Sequence, residues 1–251
     1  MCQDALLVID LQNDFLPGGA LAVPGGDRVI DPIRGLMTLP NWRAVVLTQD
    51  WHPADHVSFA SSHPGRKPFE SIALSYGRQT LWPDHCVAGS QGAAFPPDFD
   101  TSPARLILRK GMNAALDSYS AFIEADGKTP TGLDGFLKNL NIHRVFVCGL
   151  ALDYCVKFGV LDALQAGYET IVIPDACAAI AVGQETDILN EMRAKGARTM
   201  TASEVLPALP IPSFNHRITE STAWTLCRSA PLNCINKIEV NYRIAISDCW
   251  K

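Results

Sequence analysis

The chain has 251 residues, 47% of them hydrophobic and 19% charged, with a formal net charge of −5. Those values suit one large α/β domain with a well-buried core and exclude a disordered chain. Without a basic cluster, nucleic acid and anionic membrane surfaces are poor partners, and no apolar run is long enough to span a bilayer.

The chain runs from Met1-Cys2-Gln3-Asp4 straight into an apolar stretch with no basic, apolar leader, so a cytoplasmic location is expected. Residues 5–9 read as a continuous apolar strand that ends at Asp10. Residues 29–37 read as a helix that Pro32 starts or kinks. Strands follow over 44–48 and 106–108, a helix over 133–140, and a strand over 145–148. A helical pattern (Val156, Val160, Leu164) opens at Cys155 and stops near Gly167. A strand over 170–173, a helix over 180–194 ending near Gly196, and a last strand over 197–201 complete the alternation. Apolar strands alternating with helices predict an α/β fold: a doubly wound, mostly parallel sheet with helices on both faces. No internal repeat is visible.

Two regions break the alternation. Residues 51–103 form a long insertion rich in Pro, Gly, His and Ser, and loops of that length usually serve function. Pro207, Pro210 and Pro212 then break the chain, and residues 207–251 read as a C-terminal extension without an assigned role. Within it Ile238, Val240, Tyr242, Ile244 and Ile246 alternate with less apolar neighbours, a period-2 strand signal. The main domain is thus expected over 1–206, insertion included.

None of the eight cysteines forms a C-x-x-C pair, which argues against a zinc knuckle or a thioredoxin motif. Cys148 and Cys177 read as small buried hydrophobes. Cys155 is different. It follows the strand's exit by a few residues and opens a helical pattern, where the macrodipole favours thiolate over thiol. The carboxyl ends of parallel strands are also where open α/β sheets bind ligands. Asp10 and Lys110 stand at two further strand exits. A cysteine nucleophile needs a base and a cation to hold its thiolate, and Asp10 and Lys110 supply these.

Asp50-Trp51-His52 closes the second strand, and Trp82-Pro83-Asp84-His85-Cys86-Val87 brings another histidine. Alternate residues of an extended segment share a face, so Asp50 and His52 can turn toward one ion. With His85 they form an Asp-plus-two-His set suited to zinc, manganese or iron, with positions left for water or substrate. His56 and Asp84 are additional candidates for that site.

Taken in order, Asp10, Asp50-Trp51-His52-Pro53, Trp82-Pro83-Asp84-His85-Cys86-Val87, Lys110-Gly111 and Gly149-Leu150-Ala151-Leu152-Asp153-Tyr154-Cys155-Val156 resemble the nicotinamidases of the isochorismatase-like cysteine hydrolase superfamily. The resemblance runs over residues 5–204 and implies that superfamily's fold. It implies a catalytic set of Asp10, Lys110 and Cys155, and a divalent metal, zinc first, on Asp50, His52 and His85. It also implies a non-proline cis peptide at Leu150-Ala151, with the amides of Ala151 and Cys155 forming an oxyanion hole. Leu152 stands where the family usually has Thr. The implied reaction is hydrolysis of nicotinamide to nicotinate and ammonia through a thioester, in NAD salvage. Phe15 and Trp82 are candidates to sandwich the ring, with Tyr119 part of the wall. Either a monomer or a homo-oligomer fits. Three rival readings stand: a metal-free amidase of the same superfamily, a hydrolase in which metal-bound hydroxide attacks, and a non-catalytic binding protein on this fold.

Overall fold

A computed structural model describes residues 3–208. In chain order the strands are β1 (Asp4–Ile9), β2 (Ala44–Asp50), β3 (Ser71–Leu74), β4 (Gly77–Thr80), β5 (Leu106–Lys110), β6 (Arg144–Leu150), β7 (Glu169–Ala178) and β8 (Arg198–Thr199). The helices are α1 (Ile30–Met37), α2 (Leu133–Asn139), α3 (Lys157–Gln165), α4 (Glu185–Ala194) and α5 (Ala202–Ala208).

Six strands form one sheet in the order β5-β2-β1-β6-β7-β8, and every neighbouring pair is parallel. The chain first builds outward from β1 through β2 to β5. It then crosses back to lay β6, β7 and β8 on the other side of β1. Its direction of winding reverses between β1 and β6, and a crevice opens there at the carboxyl ends of the strands.

Both faces of the sheet are covered, so every residue of β1 and β2 is buried, with an apolar run in each (residues 5–9 and 44–47) and polar residues only at the ends. Successive side chains go to opposite faces. Leu6, Val8, Val45, Leu47, Phe146 and Cys148 pack with Ile33, Leu36 and Met37 of α1 and Val205 of α5. Leu7, Ile9, Val46, Val145 and Val147 pack with Leu133 and Leu137 of α2, Val160 of α3 and Met192 of α4. Gly149 lets β6 draw close to β1 just before the turn. Its φ is +116°, and a Cβ there would stand 2.1 Å from the Ile9 carbonyl oxygen.

The main differences from the sequence expectation lie at element ends. The strand expected over 170–173 continues to Ala178 through Pro174 and Asp175. The helix expected from residue 180 starts only at Glu185, because Asp153 holds the Ile180 and Ala181 amides at 3.1 and 2.9 Å in a loop. The helix expected from Cys155 opens as a wide π-type turn, Leu152–Val156, before α3. Cys148 is fully buried, whereas Cys177 is only half-buried. The insertion is organised around the antiparallel β3–β4 hairpin. The alternating segment 238–246 lies outside the described residues.

Leu7 is 1% exposed at the centre of one face. Leu7→Ala should lower unfolding free energy by about 3 kcal/mol. Urea denaturation should show this as a lower midpoint at unchanged slope.

Candidate active site

The strand exits deliver the expected groups to one place. Register pairs Asp50, the last residue of β2, with Lys110, the last residue of β5. Asp10 follows β1 with φ +48°, a left-handed backbone that turns its side chain at the rim. Its amide donates to Thr48 Oγ1 at 3.1 Å, and the Thr48 hydroxyl donates to Asp10 Oδ1 at 2.6 Å. Cys155 arrives from the π-type turn after β6.

Lys110 is the hub. Its side chain is fully buried, with Nζ 2.9 Å from Asp10 Oδ2. The ammonium also donates to Asp50 Oδ1, to the Ser118 carbonyl at 2.9 Å, and to Cys155 Sγ at 3.5 Å. An ammonium has three hydrogens, so these four neighbours share them. Asp10 Oδ2 accepts no aligned hydrogen bond among the described residues.

Charges respond to this enclosure. Burial works against the Lys110 cation, but the Asp10 and Asp50 carboxylates outweigh it and hold its pKa well above the ordinary lysine value. Burial pushes Asp10 up, and Lys110 only partly opposes this. Burial also works to raise Asp50, yet Lys110 and His52 hold it well below the usual carboxylate range. Cys155 departs from expectation. Burial pushes its thiol well above the ordinary value; Lys110 opposes this, while Asp10 and Asp50 add to it. This enclosure thus works against the thiolate that a helix N-terminus would favour. For the same reason, Lys110 does not keep Asp10 at an ordinary carboxylate pKa.

A second cluster adjoins the first. Asp50 Oδ2 lies 3.7 Å from His52 Nε2 and 3.9 Å from His85 Nε2, and ligand atoms of the three residues all lie within 4.8 Å of one another. Both Nδ1 atoms are committed elsewhere. His52 Nδ1 donates to the Gly111 carbonyl at 3.0 Å, and His85 Nδ1 to the Pro83 carbonyl at 2.8 Å. In its neutral form each ring then presents its Nε2 lone pair, as metal-ligating histidines require; burial works to lower His52, but the Asp50 carboxylate raises it, so an ion there would displace the His52 proton. Burial, then the charge of His52, lowers His85 to about 4, so its ring is the neutral ligand form. This buried N, N, O set fits a divalent metal ion. His56 stacks on His52 at 4.2 Å, but its nitrogens engage Ser58 Oγ and the Leu116 carbonyl. Asp84 is exposed and accepts from Ser61 Oγ at 2.5 Å.

One cavity joins the two clusters. Phe15, Trp82, Tyr119, Ala151 and Cys155 line it together with Asp50, His52 and His85. Tyr154 lines it too, packed edge-on to Trp82 at 4.8 Å. The Leu150-Ala151 peptide bond is cis. Several supporting residues escaped the sequence reading. Gln12 brackets Asp50, accepting from its amide and donating to its carbonyl, both at 2.8 Å. Asp14 accepts the Cys86 amide at 2.7 Å beside His85. Only position hinted at these two, since both follow β1 within a few residues of Asp10.

The isochorismatase domain family model matches residues 4–204, and the chain belongs to that family. The nicotinamidase of Acinetobacter baylyi is 48% identical over 203 residues, covering 80% of this chain and 94% of that protein. The structure of the yeast nicotinamidase bound to the inhibitor nicotinaldehyde is 30% identical, with a TM-score of 0.74, and covers 79% of this chain and 99% of that one. The pyrazinamidase of Pyrococcus horikoshii in complex with zinc is 32% identical, with a TM-score of 0.65 and the same coverage. These relatives place the chain in the nicotinamidase branch.

Lys110→Met would leave two buried carboxylates without their shared cation. Stability should fall by roughly 3–5 kcal/mol, read as a lower thermal or urea midpoint.

Proposed function

We propose that this protein hydrolyses nicotinamide to nicotinate and ammonia, with Cys155 as nucleophile. The observation that carries the reading is an aromatic-walled cavity lined by Cys155, Asp50, His52 and His85, with Lys110 behind it reaching Cys155, Asp10 and Asp50. A binding module has no use for a buried thiol beside a lysine and an acid. The 48% identity to a nicotinamidase over nearly all of that protein supports the substrate.

Asp50, His52 and His85 would hold a divalent ion, which would supply a Lewis-acid anchor for the pyridine nitrogen. We assign it as zinc, supported by the nitrogen and oxygen donors and by the zinc complex of the Pyrococcus relative. Phe15 and Trp82 hold the ring, and Tyr119 closes the wall. This sets the carboxamide carbon beside Cys155. Asp10, whose Oδ2 has no aligned donor, takes the thiol proton as sulfur attacks. Its raised pKa suits a base that removes a proton only during attack. The amides of Ala151 and Cys155 hold the tetrahedral oxyanion. Asp10 then returns the proton to the departing nitrogen, and ammonia leaves a thioester. Water, deprotonated by Asp10, adds to that thioester; nicotinate departs and the thiol is restored. Lys110 steadies the negative charge as it moves between sulfur and carboxylate.

We place this activity in the cytoplasm, in NAD salvage. The described cysteines Cys86, Cys148, Cys155 and Cys177 are all free, and no described helix is long and apolar enough to cross a membrane.

Cys155→Ala should abolish ammonia release from nicotinamide while leaving metal content intact; undiminished turnover in that variant would refute the covalent route. His52→Ala should lower metal content and raise KM for nicotinamide, checked by elemental analysis and steady-state kinetics. A chelator-treated protein that keeps full activity would favour the metal-free amidase reading.

A further inference from the structure

The β3–β4 hairpin is mostly exposed, yet Gln79 on β4 is 1% exposed. Its amide nitrogen lies 2.6 Å from Asp117 Oδ2, 2.7 Å from the Thr80 carbonyl and 3.2 Å from the Tyr119 hydroxyl. Its side-chain oxygen accepts from the Tyr76 hydroxyl at 3.0 Å. An amide nitrogen has two hydrogens, so three acceptors hold it in one orientation. Trp82 Nε1 donates to the same Tyr119 oxygen at 3.0 Å. The other Asp117 oxygen accepts the Ser118 amide at 2.8 Å, and the Ser118 carbonyl accepts from Lys110. Hydrogen bonds thus tie the hairpin to Asp117 and Ser118, and the backbone of Ser118 joins them to the buried ammonium.

Trp82, Asp117 and Tyr119 line the cavity, and Gln79 stands behind them. The cavity is narrow, and these side chains wall it closely. In so narrow a slot, small movements of a wall decide which ring enters and how it is aimed.

We propose that Gln79 is a positioning residue that fixes the Trp82–Tyr119 wall and so sets which aromatic amides the cavity admits. Its action on substrate choice rests on the nicotinamidase reading; its action on the wall does not. Packing alone would make Gln79 matter for stability without coupling it to the Tyr119 hydroxyl. A positioning role makes the two residues act as one unit.

The test uses the full chain loaded with zinc and the variant Gln79→Met, which keeps the length and removes the hydrogen bonds. Cys155 alkylation is followed by peptide mass spectrometry with iodoacetamide and with the bulkier N-phenylmaleimide, so no substrate is needed. The bulky-to-small rate ratio should rise about fivefold as the wall loosens. KM for nicotinamide should rise about tenfold, with kcat within about threefold. In a Tyr119→Phe background both effects should shrink to within about twofold, since that network is already cut. An unchanged alkylation ratio, or effects that add fully to those of Tyr119→Phe, would overturn the proposal. If Gln79→Met does not fold, Asp117→Ala removes the acceptor that Gln79 grips and must raise the same ratio; no rise there also overturns it. A parent protein without nicotinamide turnover would sink the functional reading, and the alkylation ratio would still decide the role of Gln79.

Discussion

The active site depends on one buried ammonium. Lys110 holds Asp10, Asp50 and the Cys155 sulfur within its reach, in an interior where any of these charges alone would be costly. Two carboxylates brought so close repel each other, and the shared cation is what allows both to remain. The strand order then has a reason: β5 must lie beside β2 for Lys110 to stand next to Asp50, and β1 must lie beside β6 for Asp10 to face the cysteine turn.

Asp50 joins the two halves of the chemistry. One carboxylate oxygen accepts from Lys110, and the other faces the two histidine Nε2 atoms. The Asp50–His52–His85 cluster and the Asp10–Lys110–Cys155 cluster are therefore one electrostatic system. Gln12 holds the Asp50 backbone from both sides, so this shared ligand has little freedom to turn. The sheet supplies Asp10, Lys110 and the cysteine turn. The insertion supplies His52, His85 and Trp82. Neither part forms the cavity alone.

The buried setting also changes how the nucleophile is poised. Burial disfavours the Cys155 thiolate more than Lys110 favours it, and a carboxyl whose pKa burial also raises stands beside it. Proton transfer coupled to attack follows from that arrangement.

The sequence by itself determined the fold class and the groups that meet. Uniform apolar strands require a sheet covered on both faces, and a charged residue at such a strand's end has nowhere to go but the rim. That logic picked out Asp10, Asp50, Lys110 and Cys155, which the fold brings together, and the Asp-x-His spacing picked out Asp50 and His52, which lie beside His85. Tertiary structure decided what pattern cannot carry. The proton on Cys155 depends on how completely neighbours exclude water, a property of packing and not of helix position. The late start of α4 depends on Asp153, a carboxylate from a distant turn that captures the Ile180 and Ala181 amides. Gln12, Gln79 and Asp117 are uncharged or ordinary loop residues in one dimension. Their partners lie tens of residues away, and only folding brings together the donors and acceptors that give them work.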